Sequence, residues 1–248
     1  MSRVFYTMGL DQVNQEYARK MVNSFKKFHP EEKILLLTLK DMKEMGATQY
    51  DLNHRMMAFT TNVLMKEYDT VVNVDSDQII TGDLSHTFEG EFDVAMPYNA
   101  NPTEILYMGN DPVAVWDIEP MKYLNTAYRV FKSKKMVKHL VKLCYSSFFE
   151  KYNYRDQDMI NIIANYFPYN VKRLDEGNRW HGLISKRFWQ YIEKRGDKLV
   201  LPKNNTWPTD EDKIIKIIHW GGGEGVKKLD VDIRFTKEVA SYLKQLML

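Results

Sequence analysis

The stretch Asp69-Thr70-Val71-Val72-Asn73-Val74-Asp75-Ser76-Asp77 decides how the rest of this sequence is interpreted. Its first half is rich in β-branched residues, which is typical of a buried strand. Two carboxylates, Asp75 and Asp77, follow that strand at once, and an apolar pair of isoleucines comes soon after them. Carboxylates in this position are expected at the carboxyl edge of a sheet, where open α/β folds bind their ligands.

Asp75 and Asp77 are candidate ligands of a divalent cation. Two nearby carboxylates repel each other unless a cation lies between them. Mg²⁺ and Mn²⁺ prefer such oxygen ligands and share their remaining positions with substrate phosphates. The alternative is a pair of turn aspartates at the end of a strand, because an Asp-x-Asp pattern by itself is common.

The N-terminal segment predicts the order strand, helix, strand. Residues 3–7 form a short apolar run, and from Val13 to Phe28 the apolar residues recur at helical spacing. His29-Pro30 is expected to end that helix. Residues 33–39 form a continuous apolar run, which is typical of a strand covered on both faces. This order predicts a parallel sheet flanked by helices.

The same patterns predict the remaining elements. Helices are expected over residues 56–66, 134–152 and 155–164, and strands over residues 69–74, 92–96, 122–131 (with a break at Asn125), after residue 167 and over 214–218. Residues 97–119 are rich in Asn, Pro, Gly and Asp and are interpreted as a long functional loop or lid. Because neither a repeat nor a low-complexity linker interrupts the 248 residues, a single domain spanning 1–248 is predicted.

Composition and charge leave the partner open. The formal net charge of +2 does not indicate a polyanionic partner. The lysines of residues 132–142 are interpreted as a solvated helix face, with a membrane or nucleic-acid patch as the alternative. Cys144 is the only cysteine, which suits a reducing compartment. With no signal-peptide pattern and no apolar stretch near the roughly 20 residues of a membrane span, we expect a cytoplasmic protein, or one peripheral at a membrane.

A second candidate site follows the late strand, which ends at His219 and is continued by a glycine-rich loop. An imidazole ligand suits Mn²⁺ better than Mg²⁺. Glycines such as Gly222 allow backbone N–H groups to approach a phosphate closely, and Lys227 would neutralise a diphosphate. The alternative is a flexible loop with solvated lysines.

A third candidate site, Asp156-Gln157-Asp158, lies at the start of a predicted helix. It would orient an acceptor hydroxyl or a sugar ring, whereas the alternative is an N-cap with acidic residues in the first turn. Taken together, the three sites suit a nucleoside diphosphate held by a cation and a glycine–lysine loop. Since the leaving group of a nucleotide sugar is such a diphosphate, the cation and Lys227 would stabilise the charge that develops on it.

Four motifs in the same order resemble those of GT-A fold nucleotide-sugar glycosyltransferases. They are most similar to family 8, the group of glycogenin, galactinol synthase and bacterial lipopolysaccharide galactosyltransferases. The motifs are the aspartate-containing strand at residues 68–84, the "fNsG" strand at 123–127, "DQDxxN" at 156–161 and "HfxG" at 218–222. The resemblance implies an α/β fold of the GT-A type, a Rossmann-like, mixed and mainly parallel sheet flanked by helices in a single domain.

The resemblance also implies roles for individual residues. A Mn²⁺ (or Mg²⁺) ion would be held by Asp75, Asp77 and His219. The nucleotide and its diphosphate would contact Thr7, Met8, Gly9, Arg55, Asp75, Ser76, Gly222 and Lys227. The sugar and the reacting centre would be surrounded by Asn125, Asp156 and Gln157. Lys228 is an alternative to Lys227, because both lysines lie farther from the histidine than the family's spacing places them.

We therefore predict a metal-dependent hexosyltransferase that moves a hexose from a UDP-sugar to an acceptor hydroxyl with retention of configuration. An inverting GT-A enzyme is the first alternative, with Asp156 or Asp158 as its base, including one that acts on modified DNA bases or on viral or cell-surface glycans. The others are a sugar-nucleotide hydrolase, a nucleotidyltransferase and a non-catalytic metal- or carbohydrate-binding protein. Glycan, lipid-linked, protein and modified-base acceptors stay open, with residues 97–119 and 180–189 expected on the acceptor side.

Overall fold

The computed structural model of the protein describes residues 2–52, 55–98, 118, 122–151, 155–174, 186–203, 211–219 and 231–248. The strands are β1 (Arg3–Met8), β2 (Ile34–Leu37), β3 (Thr70–Val74), β4 (Gln78–Ile80), β5 (Val94–Met96), β6 (Tyr128–Phe131), β7 (Val171–Arg173), β8 (Glu193–Arg195), β9 (Lys198–Leu201), β10 (Lys213–Ile215) and β11 (Ile217–His219). The helices are α1 (Gln12–Phe28), α2 (Leu39–Glu44), α3 (Gln49–Leu52), α4 (Met56–Leu64), α5 (Lys134–Cys144), α6 (Asp156–Tyr166) and α7 (Lys237–Met247).

The main sheet has six strands in the order β2-β1-β3-β6-β5-β7. Strand β1 pairs in parallel with β2 and β3, and β5 pairs in parallel with β7. Strand β6 is antiparallel to both of its neighbours, β3 and β5. The prediction of a mixed, mainly parallel sheet is therefore confirmed, and the carboxyl ends of β1, β2 and β3 lie at one edge.

Helices cover both faces of this sheet, which explains why β3 is apolar at almost every position. One face packs against α1 through Phe5, Val72 and Val130, together with Met21 and Phe25 of the helix. The other face packs against α4, α5 and α6 through Tyr6, Val71, Phe131, Met57, Leu140 and Ile160. Since successive strand residues alternate between faces, Asn73 and Arg129 lie on the second face.

The late apolar run is two strands and not one, so the predicted strand over residues 214–218 is wrong in its extent. Strand β10 pairs with β9 in a three-stranded sheet, whereas β11 pairs with β4 in a two-stranded sheet. The chain changes partner at Lys216, whose carbonyl accepts a hydrogen bond from the backbone N–H of Thr81. The Thr81 hydroxyl also donates to the carbonyl of Ile215 at 2.7 Å.

Two further boundaries differ from the prediction. The apolar run of residues 33–39 ends as a strand at Leu37, because Thr38 and Asp41 form a capping box that starts α2. Helix α5 ends at Cys144 rather than continuing to residue 152. Lys134, Lys135, Lys138 and Lys142 of α5 are exposed, as both a solvated face and a binding patch require, so the choice between them stays a prediction. Lys132 donates to the carbonyls of Phe88 and Gly90.

Several predictions fall mostly outside the described residues. Of the predicted loop 97–119, the structure describes only residues 97, 98 and 118, and of the segment 180–189 only residues 186–189. In the part of the chain that is described, none of the helices combines the length and the hydropathy that crossing a bilayer requires. The single-domain organisation stays a prediction.

Candidate active site at the carboxyl edge of the sheet

The aspartate pair lies at the carboxyl edge of the main sheet, where β3 ends and before β4 begins. The backbone N–H of Asp75 donates to the carbonyl of Ala127, which fixes the turn at this point. A cavity of about 370 Å³ opens beside it. Its walls are formed by Met8, Leu10, Asp11, Asn14, Met56, Asn73, Val74, Asp75, Ser76 and Asp77.

His219 joins the two aspartates because β11 pairs with β4. The antiparallel register places His219 opposite Gln78, directly after Asp77. The Nε2 atom of His219 lies 3.3 Å from Oδ1 of Asp77. One potential ligand atom of each of Asp75, Asp77 and His219 lies within 4.8 Å of the others. Two carboxylates and one imidazole at this spacing are a donor set that fits Mn²⁺ or Mg²⁺.

Asp75 is in an unusual electrostatic environment. Its pKa is raised to about 7, first because the protein packed around the carboxylate removes much of the water from it, and then because Asp77 and Asp156 add negative charge. Arg129 and His219 oppose this rise. The side chain keeps 37% of its surface exposed, and this surface faces the cavity. Carboxylates crowded in this way favour the binding of a cation.

The residues of the Asp156-Gln157-Asp158 motif have different surroundings. Gln157 accepts a hydrogen bond from the Thr126 hydroxyl at 2.9 Å and donates to the Tyr123 hydroxyl at 3.2 Å. Asp158 is 1% exposed and accepts a hydrogen bond from Tyr123 at 2.7 Å. Because its carboxylate is buried inside the protein, Asp158 is not placed to act as a base toward an acceptor, which corrects that part of the inverting alternative.

Asn161, four residues after Gln157, holds the segment that precedes β6. Its side-chain oxygen accepts from the backbone N–H of Leu124 at 2.7 Å, and its amide group donates to the carbonyl of the same residue at 2.9 Å. Asn125 follows directly, and its side chain accepts from the backbone N–H of Ala127 at 2.8 Å. In this structure Asn125 therefore shapes the turn, and its role toward a sugar stays a prediction.

Arg129 is a residue that the sequence interpretation missed. It lies opposite Asn73 in the antiparallel pairing of β3 and β6, so its side chain extends along the same face toward Asp75. Its Nη1 donates to Asp156 at 3.1 Å, its Nη2 lies 3.5 Å from Oδ1 of Asp75, and its Nε donates to the carbonyl of Thr126. One sequence feature could have identified Arg129 as a site residue, because it is the single charged residue within the apolar strand Tyr128-Arg129-Val130-Phe131.

The predicted nucleotide side begins at the end of β1. Met8 lines the cavity, and the buried Thr7 hydroxyl has no hydrogen-bond partner among the described residues. Gly9 donates its N–H to the carbonyl of Leu37, and a Cβ atom there would lie 2.7 Å from the Cα of Gln15. Glycine is therefore required for β1 to pass close to α1. The structure adds Asn73, whose buried side-chain amide lines the cavity; within the described part of the chain, neither of its polar atoms is hydrogen-bonded.

Arg55 is placed differently from the other predicted site residues. Its side chain is 2% exposed, and its Nε donates to the carbonyl of Cys144 at 2.9 Å. Its Nη2 lies 2.6 Å from Glu150, and its guanidinium stacks on the rings of Tyr50 and Phe149. These contacts use the guanidinium in packing, so a contact of Arg55 with the donor stays a prediction. Gly222 and Lys227 lie outside the described residues.

Solved glycosyltransferase structures are similar to this chain over almost its whole length. The bifunctional glycosyltransferase WbbM matches 99% of it with a TM-score of 0.64 and 13% identity. The galactosyltransferase LgtC, solved with donor and acceptor sugar analogs, matches 98% with a TM-score of 0.58 and 15% identity. The glycosyltransferase GlyE of Streptococcus pneumoniae matches 100% with a TM-score of 0.54 and 14% identity.

The lengths of these proteins differ from that of this chain. It spans about half of the WbbM chain, 60% of the GlyE chain and 95% of the LgtC chain. No protein-family model matches the sequence, and no curated protein matches it either. At 13–15% identity the likeness concerns the fold. Together with the sheet order and the helix layers, it shows that this chain has the GT-A fold of glycosyltransferases.

Proposed function

We propose that this protein is a metal-dependent glycosyltransferase that moves a hexose from a UDP-sugar to an acceptor hydroxyl with retention of configuration. The observation that carries the proposal is the meeting of Asp75, Asp77 and His219 beside a cavity at the carboxyl edge of the sheet. The fold adds support, because LgtC is described with donor and acceptor sugar analogs bound.

Each residue has a proposed part in the reaction. Asp75, Asp77 and His219 would hold the cation, which when bound stabilises the negative charge of a departing diphosphate. The cavity walls near Met8, Asn14 and Asn73 would receive the nucleoside. Asp156 and Gln157 would face the sugar and stabilise the oxocarbenium-like centre. A structure of LgtC is described as an active-site variant with glutamine changed to glutamate, which supports testing Gln157 in the same way.

Nucleotide binding tests the metal and the donor together. We expect UDP with Mn²⁺ to raise the melting temperature of the protein more than UDP alone or Mn²⁺ alone. A ligand at a hundred times its Kd stabilises the folded state by about 2.7 kcal/mol, which a thermal-shift assay resolves readily. GDP, ADP and CDP serve as matched controls for the base. If none of the nucleotides shifts the melting temperature with Mn²⁺ or with Mg²⁺, the proposal is wrong.

The stereochemical outcome tests the reaction. We expect the product to keep the α-configuration of a UDP-α-hexose, because Asp158 is buried and because, in the front-side mechanism that the family resemblance implies, the departing phosphate takes the proton of the acceptor. Proton NMR of the early product, through the coupling constant of the anomeric proton, measures this directly. A β-linked early product would instead assign the enzyme to the inverting class, with Asp156 as the first candidate base.

The acceptor is tested separately from the donor. Glycans, lipid-linked sugars, proteins and modified DNA bases can all present a hydroxyl group, so each stays a candidate acceptor. A DNA acceptor would give binding that falls steeply as salt rises, because phosphate contacts release counterions. Binding to a panel of these acceptors at two salt concentrations distinguishes the classes, and binding without turnover of any nucleotide sugar would support a non-catalytic carbohydrate-binding protein.

A further inference from the structure

Arg129 is a buried cation inside the candidate site. Its side chain is 5% exposed, and its guanidinium contacts Asp75 and Asp156 from two different nitrogens. The third nitrogen is held by the carbonyl of Thr126. A guanidinium fixed at three points cannot swing away without leaving a buried charge unpaired, which is costly in the interior of a protein.

The charges around Arg129 suit one divalent cation. When ionised, Asp75, Asp77 and Asp156 carry three negative charges, and Arg129 reduces this to two. His219 contributes a neutral imidazole when it binds a metal. One Mn²⁺ or Mg²⁺ would then leave the cluster without net charge, whereas the same carboxylates without Arg129 would keep one uncompensated negative charge.

The position of Arg129 also connects two parts of the fold. Asp75 ends β3, and Asp156 begins α6, far away along the sequence. The guanidinium contacts both carboxylates and thereby fixes the distance between the proposed metal ligand and the residue proposed to face the sugar. No other described cation contacts both groups.

We propose that Arg129 is a positioning residue that sets the charge of the metal site and fixes Asp75 relative to Asp156. The inference rests on the metal-dependent function proposed above, which it deepens. Arg129 would act through the two carboxylates and would not touch the cation. Removal of the guanidinium is expected to make the site more negative and to strengthen the binding of divalent cations. The Asp156 carboxylate would then be held less firmly relative to Asp75.

Mn²⁺ titrations of the metal-free 248-residue chain, without any nucleotide, test this inference. Free Mn²⁺ is counted by its electron paramagnetic resonance signal at constant ionic strength. Arg129→Met is expected to bind Mn²⁺ about tenfold more tightly, because removing a unit charge this close to a ligand atom has that effect even with the screening of bulk water. Arg129→Lys keeps the charge and is expected to stay within about threefold of the wild type.

Two further variants separate charge from structure. Asp156→Asn in the Arg129→Met background removes one negative charge and is expected to return the affinity to within about threefold of the wild-type value. Arg3→Met is the matched control, because Arg3 forms an ion pair with Glu32 at the opposite end of β1. It is expected to lower stability without changing Mn²⁺ affinity. If Arg129→Met does not fold, Arg129→Gln carries the same expectation.

The outcomes are distinct from those of the proposed function. Unchanged or weaker Mn²⁺ binding in a folded Arg129→Met or Arg129→Gln variant overturns the inference but leaves the metal-dependent function standing. A double variant that keeps the tighter affinity also contradicts it, since the effect would then not follow the net charge. A wild-type protein that binds no Mn²⁺ overturns both the inference and the proposed function.

Discussion

Replacing Asp77 by asparagine is expected to reduce Mn²⁺-dependent transfer of a sugar by roughly 10³-fold, because a metal ligand that stabilises the leaving group contributes several kcal/mol. Asparagine has nearly the same shape and keeps one oxygen, so the loss would come from the charge. Asp77 lies 3.3 Å from His219, and both side chains are largely buried, so the substituted side chain is expected to keep the same position. Initial rates with a radiolabelled UDP-sugar measure the effect.

The matched control for this variant is Asp83→Asn. Asp83 lies beyond the other end of β4, is 58% exposed and accepts hydrogen bonds from the backbone and hydroxyl groups of Ser85. Its rate is expected to stay within about twofold of the wild type, as is usual for an exposed position away from special features. Equal losses of transfer rate in both variants would mean that any substitution near β4 impairs the protein, and that Asp77 has no specific role in the reaction.

Replacing Asn161 by alanine is expected to lower the free energy of unfolding by about 2–5 kcal/mol. The buried amide satisfies both the N–H and the carbonyl of Leu124, and each buried backbone group left without a partner costs about 1–3 kcal/mol. The loss of this clamp would also release residues 123–126, which contact Gln157. Denaturation by urea, followed by circular dichroism, measures the change.

Asn165→Ala is the control on the same helix, one turn further along. The Asn165 side chain donates to the carbonyls of Asn161 and Lys122, the second at 3.5 Å, near the surface of the protein. It is expected to cost less than about 1 kcal/mol, because water replaces these partners. A small loss in Asn161→Ala would show that residues 123–126 are held by other contacts.

The fold could be predicted from the sequence because its main signals are local. An apolar run such as residues 34–37 and a helical pattern such as residues 12–28 report burial residue by residue. The same is true of Asp75 and Asp77, because any residue directly past a parallel strand lies at the edge of the sheet. His219 was a candidate because it ends a strand, but it joins the aspartates only through the antiparallel pairing of β11 with β4.

Other features depend on which strands pair, and the sequence does not report this. Arg129 contacts Asp75 because β6 is antiparallel to β3 with Asn73 opposite Arg129. The exchange of partners at Lys216 depends on hydrogen bonds from Thr81, which is more than 130 residues away. Within the Asp156-Gln157-Asp158 motif, the pattern showed two carboxylates but could not show that Tyr123 buries the second.

The pairing of β11 with β4 has a consequence for how the protein is made. A ribosome that has released β3 and β4 has already produced both aspartates, but the imidazole that completes the cluster arrives with residue 219. Until then the carboxylates face each other without their third partner. A nascent or C-terminally clipped chain that ends before β11 therefore carries an incomplete cluster, and the proposed binding of a cation would require the chain to be made through residue 219.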